Sequence, residues 1–208
     1  MKRALIFDLD NTIYPVSSIA DYLFTRLFAM LEEHAESINY DDLLNAKDEL
    51  MRRPYHLVAE KYNFSDELKN KGNSLLNNLS YDLPMQAFDE YHLIKSTGLE
   101  NFLVTTGFTK LQWSKIKMLG IEADFKEIHI VDPEKSKQTK KDIFADIMKR
   151  HQYQPVDVLV IGDDPESEIK AANDLGIDTF LFDPHSKHPD ALVTYRADKL
   201  KEVLAVLS

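Results

Sequence analysis

Short apolar runs separated by stretches of helical periodicity constrain this chain most. They are residues 4–7, 102–104, 128–131, 156–161 and 179–182. Each is too short for a helix that buries itself, and the first and fourth read as strands covered on both faces. Between the later runs lie helical segments with their own stops: residues 109–119 closed by Gly120, and 166–175 closed by Gly176. A third opens at Thr139, an N-cap with Asp142 three residues on, and runs through Ile143, Phe144 and Ile147 to about Arg150. Strand–helix alternation of this kind predicts an α/β fold, a doubly wound parallel sheet with helices on both faces.

Residues 15–85 break that rhythm. Ile19, Leu23, Leu27, Met30 and Leu31 recur at helical spacing from a start at Ser17 or Ser18 to about Ala35. Leu43, Leu44, Leu50 and Met51 mark a second helix ended by Pro54, and residues 57–62 a third. Ser65-Asp66-Glu67 opens a fourth with Leu68, Leu75 and Leu76 on its inner face, and residues 86–96 read as one more. The expected division is therefore 1–14 plus 86–208 as an α/β core and 15–85 as a helical insertion.

The chain has 208 residues, a formal net charge of −10 and no cysteine. The last point excludes disulfides, thiolate catalysis and cysteine-held metals, and is in keeping with a cytoplasmic location. The acidic balance argues against a nucleic-acid partner, and no apolar run is long enough to span a membrane. Met1-Lys2-Arg3 runs into Asp8 and Asp10 too soon for a signal peptide.

Ligands of parallel sheets sit at the carboxyl ends of the strands. The first strand ends in Asp8-Leu9-Asp10-Asn11-Thr12, the second in Thr105-Thr106-Gly107 and the fourth in Gly162-Asp163-Asp164. Asp8, Asp10, Thr105 and Asp163 therefore converge on one edge. Carboxylates crowded at the end of a buried strand call for a cation, a shared proton or both.

This set, with a lysine before a helix and Glu168, resembles the haloacid dehalogenase superfamily over the whole chain. The resemblance implies a Rossmann-like core with a helical cap after the first strand, and Mg²⁺ as cofactor. It implies Asp8 as nucleophile, forming an aspartyl-phosphate, and Asp10 as general acid and then base. Asp8, the Asp10 main-chain carbonyl and Asp163 would hold Mg²⁺, with Asp164 or Glu168 orienting water or lysine around them. Thr105 and amides near Thr106 and Gly107 would hold phosphate oxygens. Either Lys140 or Lys137 is the lysine of the site, Lys140 being preferred because no proline follows Lys137, and Lys137 is a candidate phosphate contact. An acid at position 10 favours phosphate chemistry over dehalogenation, since an alkoxide leaving group needs a proton.

The expected activity is hydrolysis of a small phosphorylated metabolite, a nucleotide or sugar phosphate, by a monomer or homodimer. Residues 10–15 look like those of pyrimidine 5′-nucleotidase relatives. A phosphosugar mutase and a non-catalytic phospho-acceptor or binding module are the alternatives. Arg52, Arg53, Tyr55 and His56 read as helix-end and surface residues before they read as a pocket, Trp113 as core, and His185 and His188 as a turn rather than a metal site.

Overall fold

A computed structural model of the chain describes residues 1–34 and 38–207. Among these, six parallel strands form one sheet: β1 Ala4–Phe7, β2 Glu100–Thr106, β3 Glu127–Val131, β4 Val158–Gly162, β5 Asp178–Phe182 and β6 Tyr195–Ala197, in the order β3-β2-β1-β4-β5-β6. β1 lies between β2 and β4 with Phe7 opposite Leu103 and Ile161. The order reverses around β1, which places the switch point of the sheet at its carboxyl end.

Residue parity explains why β1 is apolar throughout. Leu5, Phe7, Leu103, Leu159 and Ile161 point into one core, whereas Ala4, Ile6, Phe102, Val104, Val158 and Val160 point into another. The second core is closed by Ile143, Phe144 and Ile147 of α7 (Lys140–His151) and by Ala171 and Ala172 of α8 (Lys170–Asn173). The first takes α5 (Asp89–Ile94) through Tyr91 and Ile94, α6 (Thr109–Leu119) through Leu111 and Ile116, and the segment leading into α9 (Val203–Leu207). That core continues without a break into the insertion, through Leu23, Leu27 and Leu31 of α1 (Ala20–Glu33), Leu43 and Leu50 of α2 (Tyr40–Leu50), Val58 of α3 (Tyr55–Lys61) and Leu68 and Leu76 of α4 (Asp66–Asn78).

Helix ends follow local chemistry. Asn39 and Ser65 cap α2 and α4 by accepting from Asp41 and Leu68 amides, and Thr139 and Asp142 form a reciprocal box at α7. Gly120 ends α6 at φ +66°, the left-handed region where glycine carries no Cβ penalty.

Several boundaries depart from the sequence reading. Helix α5 begins at Asp89 rather than residue 86, because Phe88 is held in a non-helical conformation at its N-cap (φ −58°, ψ 139°), with its amide donated to the Ile13 carbonyl at 2.8 Å. Pro155 opens a 3₁₀ turn, so β4 starts at Val158. A 3₁₀ turn at Val16–Ser18 precedes α1, which starts at Ala20 and not at the serines. The expected helix over 166–175 opens with a wide π-type turn, Pro165–Ile169. Strand β6 went unread because Tyr195-Arg196 is exposed and only Ala197 is buried. The expected end of the first helix at Ala35 lies outside the described residues. Trp113 is half-buried against the core, and Asp183 accepts the Lys187 and His188 amides at 2.8 and 2.9 Å, making that loop a turn.

Candidate active site

The Asp8 amide donates to the Ile161 carbonyl at 2.9 Å, which carries the β1–β4 pairing one residue past the strand. The chain then folds back. Ile13 donates its amide to the Leu9 carbonyl at 3.0 Å, and Asn11 sits at φ +57°, a left-handed conformation that asparagine tolerates. The turn sets buried Tyr14 beside Asp10. Asp8, Asp10, Thr105, Thr106, Gly107, Lys140, Asp163, Asp164 and Glu168 all line one cavity of about 120 Å³. Lys137 is exposed and does not reach it.

Lys140 is the first residue of α7, and its Nζ donates to Asp8 Oδ1 at 2.6 Å and Glu168 Oε2 at 2.7 Å. All three side chains are buried. Glu168 Oε1 accepts the Asp164 amide at 2.8 Å, so both oxygens of Glu168 are engaged. The Asp164 carboxylate accepts the Glu166 amide at 2.8 Å and holds the turn, leaving Glu168 to orient the lysine. Asp163 is the least satisfied acid, with one contact from Thr12 Oγ1 at 3.5 Å. Burial pushes the Asp8 carboxyl up to about 7, against the pull of Lys140 and with the push of Glu168. Burial, then the charges of Glu168 and Asp8, push Asp163 well above the ordinary range.

Asp10 has a separate set of partners. Lys115 Nζ donates to its two oxygens at 2.8 and 3.1 Å, Gln112 Nε2 donates to Oδ2 at 2.9 Å, and the Tyr14 hydroxyl donates to Oδ1. Gln112 Nε2 also lies 2.7 Å from Thr105 Oγ1. Burial would raise the Asp10 carboxyl, but Lys115, Tyr14 and Gln112 together hold it below its ordinary value. Sequence reading passed over Lys115, Gln112 and Tyr14. The available cue was two polar residues three apart on one face of α6, a spacing shared by any solvated helix surface.

A family model, haloacid dehalogenase-like hydrolase, matches residues 2–176. The chain belongs to that family. The glyceraldehyde 3-phosphate phosphatase of Methanopyrus kandleri is 23% identical, over 100% of this chain and 97% of its own. The pyrimidine 5′-nucleotidase PynA of Streptococcus pneumoniae is 23% identical, over 99% and 94%. Among solved structures, the magnesium-bound putative HAD-hydrolase YfnB of Bacillus subtilis superposes with a TM-score of 0.65 at 21% identity, covering 100% of this chain and 99% of that one.

In this haloacid dehalogenase-like hydrolase the acid cluster fits a hard dication. Oxygens of Asp8, Asp163 and Glu168 lie within 4.8 Å of one another, and among the described residues Lys140 is the one buried cation that touches this group of three acids. With Glu168 committed to Lys140, the donors left to an ion are Asp8 and Asp163, joined by main-chain oxygen and water. The Asp10 carboxylate faces Lys115 and stands outside the acid cluster, so any part it has in holding metal falls to its main-chain carbonyl.

Apolar lining of the cavity also comes from the insertion: Val16, Phe24 and Leu27, then Leu50, Tyr55 and Leu76. Arg52, Arg53 and His56 line it too, which corrects their reading as surface residues. Tyr55 is 4% exposed and donates to the Leu68 carbonyl at 2.7 Å. Arg52 is paired with Asp48 at 2.6 Å, whereas half-buried Arg53 donates its amide to the Glu49 carbonyl at 2.8 Å and its guanidinium charge acts on Glu49 and Asp164.

Proposed function

We propose that this hydrolase is a Mg²⁺-dependent phosphomonoesterase for a small phosphorylated metabolite, working through an aspartyl-phosphate on Asp8. The carrying observation is Lys140 bridging Asp8 and Glu168, with Asp163 beside them and Asp10 across the same cavity. A phosphate ester brings negative charge to a carboxylate nucleophile, and that charge must be neutralised. Lys140 supplies one positive charge, and Mg²⁺ on Asp8, Asp163 and the Asp10 carbonyl would supply two more. Thr105 and the amides around Thr106 and Gly107 offer donors for the phosphoryl oxygens.

Asp8 attacks phosphorus, and the ester P–O bond breaks as the Asp8–phosphorus bond forms. Asp10 gives a proton to the departing alkoxide and then takes one from the water that hydrolyses the aspartyl-phosphate, which restores Asp8 and frees phosphate. At rest Asp10 stands ionised against Lys115, the form of the base. A phosphoryl group arriving beside it raises its proton affinity, so that Asp10 takes up a proton from solvent or from a monoanionic ester before it acts as the acid.

The organic part of the substrate packs on the apolar wall from α1, α2 and α4, and Arg53 meets an anionic or polar group at its far end. Glyceraldehyde 3-phosphate and pyrimidine nucleotides, the substrates named for the relatives, are the first compounds to try. No described helix is long and apolar enough to cross a membrane, and we place the enzyme in the cytoplasm. The test is a panel of phosphomonoesters with Mg²⁺ or EDTA, scored for free phosphate and for isomerised product. Release that needs Mg²⁺ and disappears in Asp8→Asn is expected. Isomer without phosphate would make the enzyme a mutase, and silence across the panel would sink the enzyme reading.

A further inference from the structure

Two buried lysines reach the cavity, and only one touches the nucleophile. Lys115 is 4% exposed and spends its ammonium group on both oxygens of Asp10. Gln112, 2% exposed and three residues earlier on α6, ties Asp10 Oδ2 to Thr105 Oγ1. Thr105 is the last buried residue of β2, so the link joins Asp10 to the sheet itself. Burying an ammonium group is costly unless it is well paired, and a structural pair of this kind is easily replaced by apolar residues. Here the anionic partner is a residue with chemistry to do, with a quarter of its side chain (25%) open to the cavity.

We infer that Lys115, with Gln112, is a positioning residue that aims the Asp10 carboxyl at the leaving-group oxygen. This rests on the phosphomonoesterase reading above. The loop carrying Asp10 is a tight turn outside the sheet, and its side chain has free rotamers unless something holds them. Lys115 holds both oxygens from the α6 side, Gln112 fixes one of them to Thr105, and Tyr14 closes the other. The outcome is one carboxylate orientation, set from a helix that contributes nothing to the nucleophile. Proton transfer repays such alignment, because a positioned acid is worth about 10²–10⁴-fold and a misdirected one far less.

The role has a signature that mere structural support lacks. An alkyl phosphate needs its leaving oxygen protonated as the P–O bond breaks, whereas p-nitrophenyl phosphate releases a stable anion and does not. The ratio of kcat/KM for p-nitrophenyl phosphate to that for an alkyl phosphate isolates proton delivery, because kcat/KM ends at the first irreversible step. Lys115→Met keeps the length and apolar stem of the side chain and removes the charge. We expect that ratio to rise at least about ten-fold over wild type, the alkyl ester losing most of its rate. An unchanged ratio, whether both rates fall together or neither falls, would overturn the inference and leave the hydrolase reading standing. A wild type inactive on both esters would overturn the two together. If Lys115→Met does not fold by near-UV circular dichroism, Gln112→Leu carries the same test with the ion pair intact, and the same ratio decides it.

Discussion

A Cβ placed on Gly162 would lie 2.1 Å from Glu168 Oε1 and 2.3 Å from its Cγ. Glu168 thus lies against the bare backbone at the end of β4, which is how a long acid fits beside Asp8 and Asp163. The fit lets one oxygen take the Asp164 amide while the other holds Lys140.

Gly162→Ala is expected to push Glu168 out of that position and leave Lys140 with Asp8 alone. Overpacking of this sort costs about 1–3 kcal/mol. Turnover should fall further than stability suggests, by about 100-fold, because a shift of about 1 Å in a catalytic group is that expensive. Phosphate release set beside the melting temperature distinguishes the two losses.

Magnesium should stabilise the fold. An ion that binds the folded chain alone contributes about 2.7 kcal/mol at a concentration near 100 Kd. For a chain of this size that raises Tm by roughly 5–10 °C. Asp163→Asn removes the acid with the fewest partners and should abolish most of the shift while leaving the apo Tm little changed or higher, since it relieves repulsion from Asp8 and Glu168. Thermal melts with Mg²⁺ and with EDTA measure both without an assay of activity.

Arg53→Ala is expected to raise KM with little change in kcat. The side chain lines the cavity from the segment after α2 and touches neither Asp8 nor Lys140 through a hydrogen bond, its charge acting on Glu49 and Asp164. A hydrogen bond to a charged group is worth about 1.5–3 kcal/mol, so KM should rise roughly 10- to 150-fold for the substrate it reads. Steady-state kinetics on the best ester of the panel tests this. A fall in kcat at constant KM would remove Arg53 from substrate binding.

A pH effect on stability should come from Glu127, far from the site. Arg150 donates to it at 2.7 and 2.6 Å, and His151 and His129 contact it at 2.6 and 2.8 Å. The Arg150 hydrogen bonds, against some desolvation and helped by the two histidines, hold this carboxyl well below its ordinary value of 4.5. A depressed acid stabilises the fold above its unfolded pKa and loses that contribution as pH falls through the folded one. Glu127→Gln should therefore lower Tm at pH 7, and the gap to wild type should narrow steadily below about pH 4.5. Melts across pH 3 to 7 would show it.

The sequence by itself determined five of the six strands, the helices between them and the edge where the acids gather. Those features are written in short-range patterns: apolar runs of three to six residues, caps such as Thr139 with Asp142, and glycines at 120 and 176 that stop helices. A parallel sheet then has one carboxyl edge, so Asp8, Thr105 and Asp163 were bound to meet on it. Tertiary structure alone decided the partners. Sequence preferred Lys140 to Lys137 only on a missing proline, and packing gives the reason: Lys140, as the first residue of α7, reaches Asp8 while Lys137 stays in solvent. Lys115 and Gln112 gave only a spacing common to any solvated helix face, because their meaning is a distance to Asp10 about a hundred residues away. Arg53 read as a helix end until α1, α2 and α4 supplied the wall it shares. Local patterns set which segments become elements, because caps, turns and burial act over a few residues. Electrostatic partners are chosen by packing, and packing brings together groups whose positions in the chain say nothing about each other.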